Sequence, residues 1–182
     1  MFTSQKPETA SVRLDYAKPV DFCEAFERDM KPFYLLAFLM TANHKEAERC
    51  FAATVEESCE ENSVFTAWMN SWIKRYLIKR AVRIVLSRPA RSDDERNLWC
   101  QGPAETRISD VVNAVTKLEA LERFVFVMSI LEGYSARECS LLLDCTTESV
   151  AQLRVRASCR LAISDPFFTR DLAGLSDRVK SA

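Results

Sequence analysis

Seven basic residues crowd into a stretch that holds no acid: Lys74, Arg75, Lys79, Arg80, Arg83, Arg88 and Arg91, with neither Asp nor Glu between Asn62 and Ser92. Cations at helical spacing neutralise phosphates, and each phosphate neutralised steepens the salt dependence of duplex binding by about 0.9 in log–log slope. Just ahead of them Phe65, Trp68, Met69, Trp72, Ile73 and Tyr76 fall on one broad helical face. Aromatic rings on such a face can stack on unpaired bases, at ~1–3 kcal/mol per base. Packing into the protein's own core is the plainer use of the same stripe. On a helical wheel Lys79, Arg80 and Arg83 continue the direction of Trp72 and Tyr76. A core stripe cannot continue as cations, so the helix leaves the core there. A solvated face and a phosphate-contacting face both stay open for these three.

A second constellation lies at Ser135–Arg160. Ser135-Ala136-Arg137-Glu138 has capping-box spacing, the serine reaching forward and the glutamate back. A short helix follows with Cys139, Leu142 and Leu143 inward. Asp144-Cys145-Thr146 then makes a tight turn, aspartate tolerating left-handed geometry better than most residues. The next helix buries Val150, Leu153, Ala157 and Leu161 and turns Glu148, Gln152, Val155, Arg156 and Cys159 outward. Held crosswise on its predecessor, such a helix enters a major groove, where side chains near its N-terminal end meet base edges. Gln152 has the amide that pairs with adenine. Arg154, Arg156 and Arg160 suit phosphate contact or pairing with neighbouring acids.

Other chemistry is poorly supplied. His44 is the single histidine and reads as a surface residue at a helix start, which leaves zinc hydrolase and histidine-based triad chemistry without parts. The seven cysteines (Cys23, Cys50, Cys59, Cys100, Cys139, Cys145, Cys159) form no CxxC pair and read as small buried hydrophobes in a reducing compartment. Glu56-Glu57-Ser58-Cys59-Glu60-Glu61-Asn62 reads as an acidic turn, without the buried setting that raises a carboxylate pKa. Three glycines leave no P-loop or GxGxxG. The expectation is a protein that is not an enzyme, with no catalytic residue, cofactor, metal or small-molecule substrate.

The elements that must position these residues are helices. Three glycines and six prolines in 182 residues are too few for a sheet's turns, and no strict alternation or βαβ rhythm occurs. The fold expected is all-α: two small helical modules joined by a linker, the second a helix-turn-helix, winged-helix-like without a wing. Residues 1–19 read as a flexible arm, 20–87 as the first module, 88–103 as the linker, 104–163 as the second module and 164–182 as a tail. Within the first module, helices are expected from an Asp21 N-cap, from Pro32 to Ala42, after an Asn43 cap, and from Ser63 to about Ser87. The second module reads as Ala104–Leu118, Leu121–Glu132 ending on Gly133, Ser135–Leu143 and Thr147–Arg160. No signal-peptide pattern opens the chain, and the most apolar run, Phe33–Met40, is far below the ~20 residues of a spanning helix. No membrane contact and a cytoplasmic location are expected. Net charge is −1. A dedicated nucleic-acid binder is usually basic overall, so DNA binding here depends on the segregation of charge along the chain or on a basic partner.

Leu121-Glu122-Arg123, Val125-Phe126, Glu132-Gly133-Tyr134-Ser135, Glu138, Ser149-Val150 and Arg156-Ala157 together resemble region 4 of bacterial extracytoplasmic-function (ECF) sigma factors over about forty residues. The first module resembles region 2 of that family in outline: Asp21-Phe22 to Tyr34 and Leu39, Glu46-Ala47-Glu48, and Phe65-x-x-Trp68-Met69. Arg49 stands where the family prefers aspartate, and Ala52 and Ala53 replace its Gln-Glu pair. Ala151 occupies a place that is usually basic, and Leu153-Arg154 reverses the usual order. The resemblance implies a transcription initiation factor with core RNA polymerase and promoter DNA as partners and an anti-sigma factor as a further one. It implies DNA contact by Thr147, Glu148, Ala151, Gln152, Arg154, Val155, Arg156 and Arg160 of the recognition helix and by Trp72, Tyr76, Lys79, Arg80 and Arg83. Glu46, Glu48, Arg49 and Ala52 fall where the family docks on polymerase. The departures support an alternative: a degenerate sigma-like module that binds a regulatory protein of the anti-sigma type without initiating transcription.

Overall fold

Helix starts and stops follow local chemistry through most of the chain. The computed structural model describes residues 15–60, 63–87 and 106–164. Helix α1 spans Pro19–Arg28, with proline in its first turn and Lys18 as N-cap. Asp21, expected as the cap, sits one turn inside, where its carboxylate accepts from the Lys18 backbone N–H at 2.7 Å. The acid still satisfies an orphan donor, but as a partner reaching back to the cap. Helix α2 (Met30–Thr41) closes on Ala42, a left-handed residue with φ 52°. Asn43 caps α3 (His44–Ser58), its side chain accepting from the Glu46 N–H at 3.0 Å. The acidic run expected as a turn therefore begins as the last turn of α3 and leaves the helix only at Cys59.

The long helix expected from Ser63 starts later. Phe65 is extended and forms an isolated antiparallel bridge with Tyr16. Ala17 N–H donates to the Val64 carbonyl at 2.7 Å and Thr66 N–H to the Asp15 carbonyl at 2.9 Å. Backbone groups that would have opened the helix are thus used by the arm, and the described part of that arm, 15–18, is held against the body. A 3-10 turn, Thr66–Trp68, then leads into α4 (Met69–Leu86).

Helix α5 covers Thr106–Thr116; the expected linker and the start of the second module at 104 lie outside the described residues. Helix α6 (Ala120–Phe126) runs on as a π-helical segment, Val127–Leu131, before Gly133 with φ 75° ends it. Helices α7 (Ala136–Leu143) and α8 (Thr147–Ser164) follow. Apart from the lone bridge, no strand occurs among the described residues, and the fold is all-α.

Helix α2 is the hub. It packs on α3 and α4 on one side and on α5, α6 and the π segment on the other. Phe22, Phe33, Leu39, Met40, Ile73 and Leu77 join Phe124, Phe126, Met128, Leu131 and Leu161 in one continuous apolar cluster. Arg123, 5 % exposed, crosses the seam: its Nε donates to the Met40 carbonyl at 3.2 Å and its Nη1 to the Leu118 carbonyl at 2.9 Å. Lys74 meets Glu132 at 3.2 Å across the same seam.

Candidate nucleic-acid interface

The two-helix unit at the C-terminal end is built by caps. Ser135 accepts from the Glu138 N–H at 3.2 Å, and Glu138 accepts from the Ser135 N–H at 2.9 Å. The Ser135 N–H, and after it the Ser135 hydroxyl, both donating to the carboxylate, hold the Glu138 carboxyl below its ordinary range. Asp144 ends α7 in the left-handed region at φ 52°, its N–H returning to the Ser140 carbonyl. Thr146 then caps α8, its hydroxyl accepting from the Ser149 N–H at 3.1 Å. The threonine-x-x-serine spacing was the signal in the sequence for this second cap. Residues 135–160 are therefore a helix, a sharp turn and a helix, as the spacing predicts.

Helix α8 buries Val150, Leu153, Ala157 and Leu161 against the body. Thr147, Glu148, Ala151, Gln152, Arg154, Val155, Arg156 and Arg160 are all exposed, Val155 to 62 %. Two of the arginines have acids of their own. Arg160 reaches Glu122 at 3.0 Å and Glu119 at 3.1 Å, and Arg156 lies 3.8 Å from Glu122. Glu122 is 1 % exposed, and its oxygens meet the guanidinium groups as ion pairs rather than through aligned hydrogen bonds. Between phosphate contact and pairing with nearby acids, the free chain uses Arg156 and Arg160 for pairing. Arg154 meets no acid among the described residues.

On α4, Trp72 and Tyr76 stack with ring centres 5.2 Å apart, and Phe22 meets Trp72 edge-on at 5.6 Å. Both stacked rings are half-buried, so the stripe is partly core and partly surface. Burial pushes the Tyr76 hydroxyl above its ordinary value, and Glu57 adds to the rise. Lys79 and Arg83 are exposed and Arg80 is half-buried, so the helix leaves the core where the cations begin.

Two sets of residues expected to meet different partners face one groove. Arg49, Ala52, Ala53 and Glu56 of α3 line it opposite Arg80, Arg83, Ile84 and Ser87 of α4, around a volume of about 430 Å³. Glu48 is exposed, whereas Glu46 is 7 % exposed and pairs with Arg49 at 3.2 Å. Trp72 and Tyr76 do not line the groove. That α3 and α4 meet along this edge is not readable from spacing, because nothing in either helix pairs the two registers.

His44 departs from its surface reading. It is half-buried, stacked on Phe38 at 4.1 Å with its Nδ1 2.9 Å from the Tyr34 hydroxyl, and burial lowers its pKa. Two cysteines depart too: of the six described, Cys50 and Cys139 are buried, Cys145 is intermediate, Cys159 is exposed as its outward place on α8 predicts, and Cys23 and Cys59 are exposed where burial was expected. Apolar neighbours in sequence misled here, because α1 turns Cys23 outward and Cys59 sits past the end of α3. No helix among the described residues is long and apolar enough to cross a membrane.

No family model matches the chain, and no curated protein matches it. Among solved structures it is similar to the sigma factor RpoE in a co-crystal structure with the anti-sigma factor NepR from Bartonella quintana. The TM-score is 0.49 and the identity 16%, over 79% of this chain and 96% of that one. A likeness of that size carries no functional argument.

Proposed function

We propose that this chain is a sigma-like, DNA-binding factor of transcription initiation, working in a bacterial cytoplasm with core RNA polymerase. The observation that carries the reading is the capped α7–turn–α8 unit with its polar flank free: Thr147, Glu148, Ala151, Gln152, Arg154 and Val155 are solvent-facing and uncovered. At 18 residues α8 is about 27 Å long, enough to lie in a major groove with its N-terminal turns against base edges. The sequence resemblance supplies the class of reaction. In this reading residues 20–87 form the polymerase-facing and promoter-opening module, and residues 104–163 read the upstream element. A net charge of −1 suits a factor whose affinity for DNA comes largely from its polymerase partner.

The second reading is a sigma-like module that binds a regulatory protein and does not initiate transcription. The engagement of Arg156 and Arg160 by Glu122 and Glu119 favours it, since two cations of the recognition helix are already neutralised. Co-purification with core polymerase at low salt, followed by transcription from a candidate promoter, separates the two. The sigma reading expects capture and a start-site-specific transcript. Failure to capture polymerase transfers the assignment to the second reading.

A further inference from the structure

Cys23 and Cys59 are 36 residues apart in sequence, yet their sulfurs are 3.9 Å apart. Cys23 lies on α1 and Cys59 is the C-cap of α3, and both are exposed. A disulfide needs about 2.05 Å between sulfurs, so each has roughly an ångström to travel, within reach of a small side-chain rotation. We propose that this corner is a site of oxidative modification at which Cys23 and Cys59 close a reversible intramolecular disulfide, with hydrogen peroxide as the oxidant.

The chemistry balances. One thiol, deprotonated, attacks a peroxide oxygen; the O–O bond breaks, a sulfenic acid forms, and the other oxygen leaves as water. The second thiolate attacks the sulfenic sulfur, the S–S bond forms, and the hydroxyl leaves as a second water. Two thiols and one peroxide give one disulfide and two waters, the sulfurs losing two electrons and the peroxide gaining them. A small thiol reverses the step by exchange.

The other described cysteines are less well placed: Cys145 is half-buried, burial and Asp144 raise its thiol, and the thiol near it is that of buried Cys139. Cys50 is buried, its thiol donates to the Leu77 carbonyl, and burial holds it up to about 12. Cys139 is buried and pushed to about 11. Cys159 is exposed on α8 but has no thiol beside it among the described residues, so it marks what exposure alone does. Burial and the neighbouring Cys23 thiol raise Cys59, which slows the first attack without removing the resolving partner. The bond would staple α1 to the end of α3 next to the Trp72–Tyr76 stack, because Phe22 packs on Trp72 and Glu57 reaches Tyr76.

The full-length chain, reduced and then treated with hydrogen peroxide, is alkylated and digested without reduction, and the peptides are weighed. The expected result is a linked Cys23–Cys59 peptide, two hydrogens lighter than its parts, that a small dithiol restores. Cys23→Ser and Cys59→Ser each lose that peptide, while Cys159→Ser retains it; matching circular dichroism spectra show that the variants fold. Both thiols alkylating fully after peroxide overturns the proposal. So does over-oxidation of either sulfur without a link, or a link formed only between isotopically distinct copies.

Discussion

The two halves of the chain each present a cationic helix to solvent, and they treat those cations in opposite ways. On α8 Arg156 and Arg160 reach back to a carboxylate that is 1 % exposed, so part of that helix's charge fastens α8 to α6. On α4 Lys79 and Arg83 meet no acid among the described residues, and Arg80 and Arg83 face a groove in which Glu56 is the one acid among the described wall residues. Spacing alone makes the two rows look alike. What separates them is the neighbouring helix: α6 and its cap offer Glu122 and Glu119 to α8, whereas α3 turns alanines and Arg49 towards α4. Arginines on a helix face are a binding surface only to the extent that the packing partner has not already claimed them.

The seam between the halves gives the largest test. Arg123→Ala leaves the Met40 and Leu118 carbonyls without their buried donor, at ~1–3 kcal/mol for each group stranded. We expect a loss of about 3 kcal/mol in urea denaturation through one cooperative transition. Two separate transitions in the parent protein would show that the halves unfold independently and that the seam is not a unit.

The two cationic rows should then differ in stability. Arg156→Ala with Arg160→Ala strands the Glu122 carboxylate in the interior. The cost expected is about 2 kcal/mol, less than the ~3–5 of a fully buried pair because the guanidinium groups are half in solvent. Lys79→Ala with Arg83→Ala should stay within ~0.5 kcal/mol of the parent. Under the proposed function the order should reverse on nucleic acid, replacing the α4 pair lowering the salt slope by up to ~0.9 for each phosphate that is no longer neutralised. Equal stability losses on the two helices would mean that packing treats the rows alike.

A smaller effect belongs to the cap. Ser135→Ala removes the acceptor for the Glu138 N–H and should cost ~1 kcal/mol near neutrality. Because the folded carboxyl of Glu138 titrates below its ordinary value of 4.5, its contribution is complete above that pH and is lost as pH falls through the lower, folded value. Alanine keeps the backbone N–H and loses only the hydroxyl's share of that contribution, so the difference between parent and variant should shrink in acid by that share. A gap that held constant from neutrality down to about pH 3 would detach the cap from this stability.

Much of this was legible in the sequence, for reasons that vary by residue. The Ser135–Glu138 box, the Asn43 cap and the Gly133 stop depend on residues within a few positions of one another, so local spacing carried them. The buried face of α8 was legible because helical periodicity is also local. The bridge between Tyr16 and Phe65, the Arg123 seam and the shared α3–α4 groove are contacts across many residues, and no spacing rule reaches them. The π segment at Val127–Leu131 falls between these cases. It adds a residue to a turn that reads as ordinary helix, and the following N–H groups accommodate it, Glu132 bonding to Val127 at 3.0 Å and Tyr134 to Met128 at 2.9 Å. Glu122 belongs to the family likeness, yet its hold on α8 emerges only from the packing of α6 against that helix.

The halves also end a helix alike. Ala42 closes α2 and Asp144 closes α7, both left-handed at φ 52°. Glycine at either place removes a Cβ that the left-handed region opposes, a relief of up to ~1–2 kcal/mol for an ordinary residue. It also frees the unfolded chain, which returns ~0.4–1 kcal/mol of the gain. Aspartate tolerates the left-handed region better than alanine, so Asp144 has less strain to release. Ala42→Gly should therefore raise the urea midpoint by a stability increment of ~0.5 kcal/mol, while Asp144→Gly should leave it nearly unmoved. A larger gain at Asp144 than at Ala42 would mean that the turn between α7 and α8 is strained rather than at rest, so that α8's pose on the body would be under tension before any partner arrives.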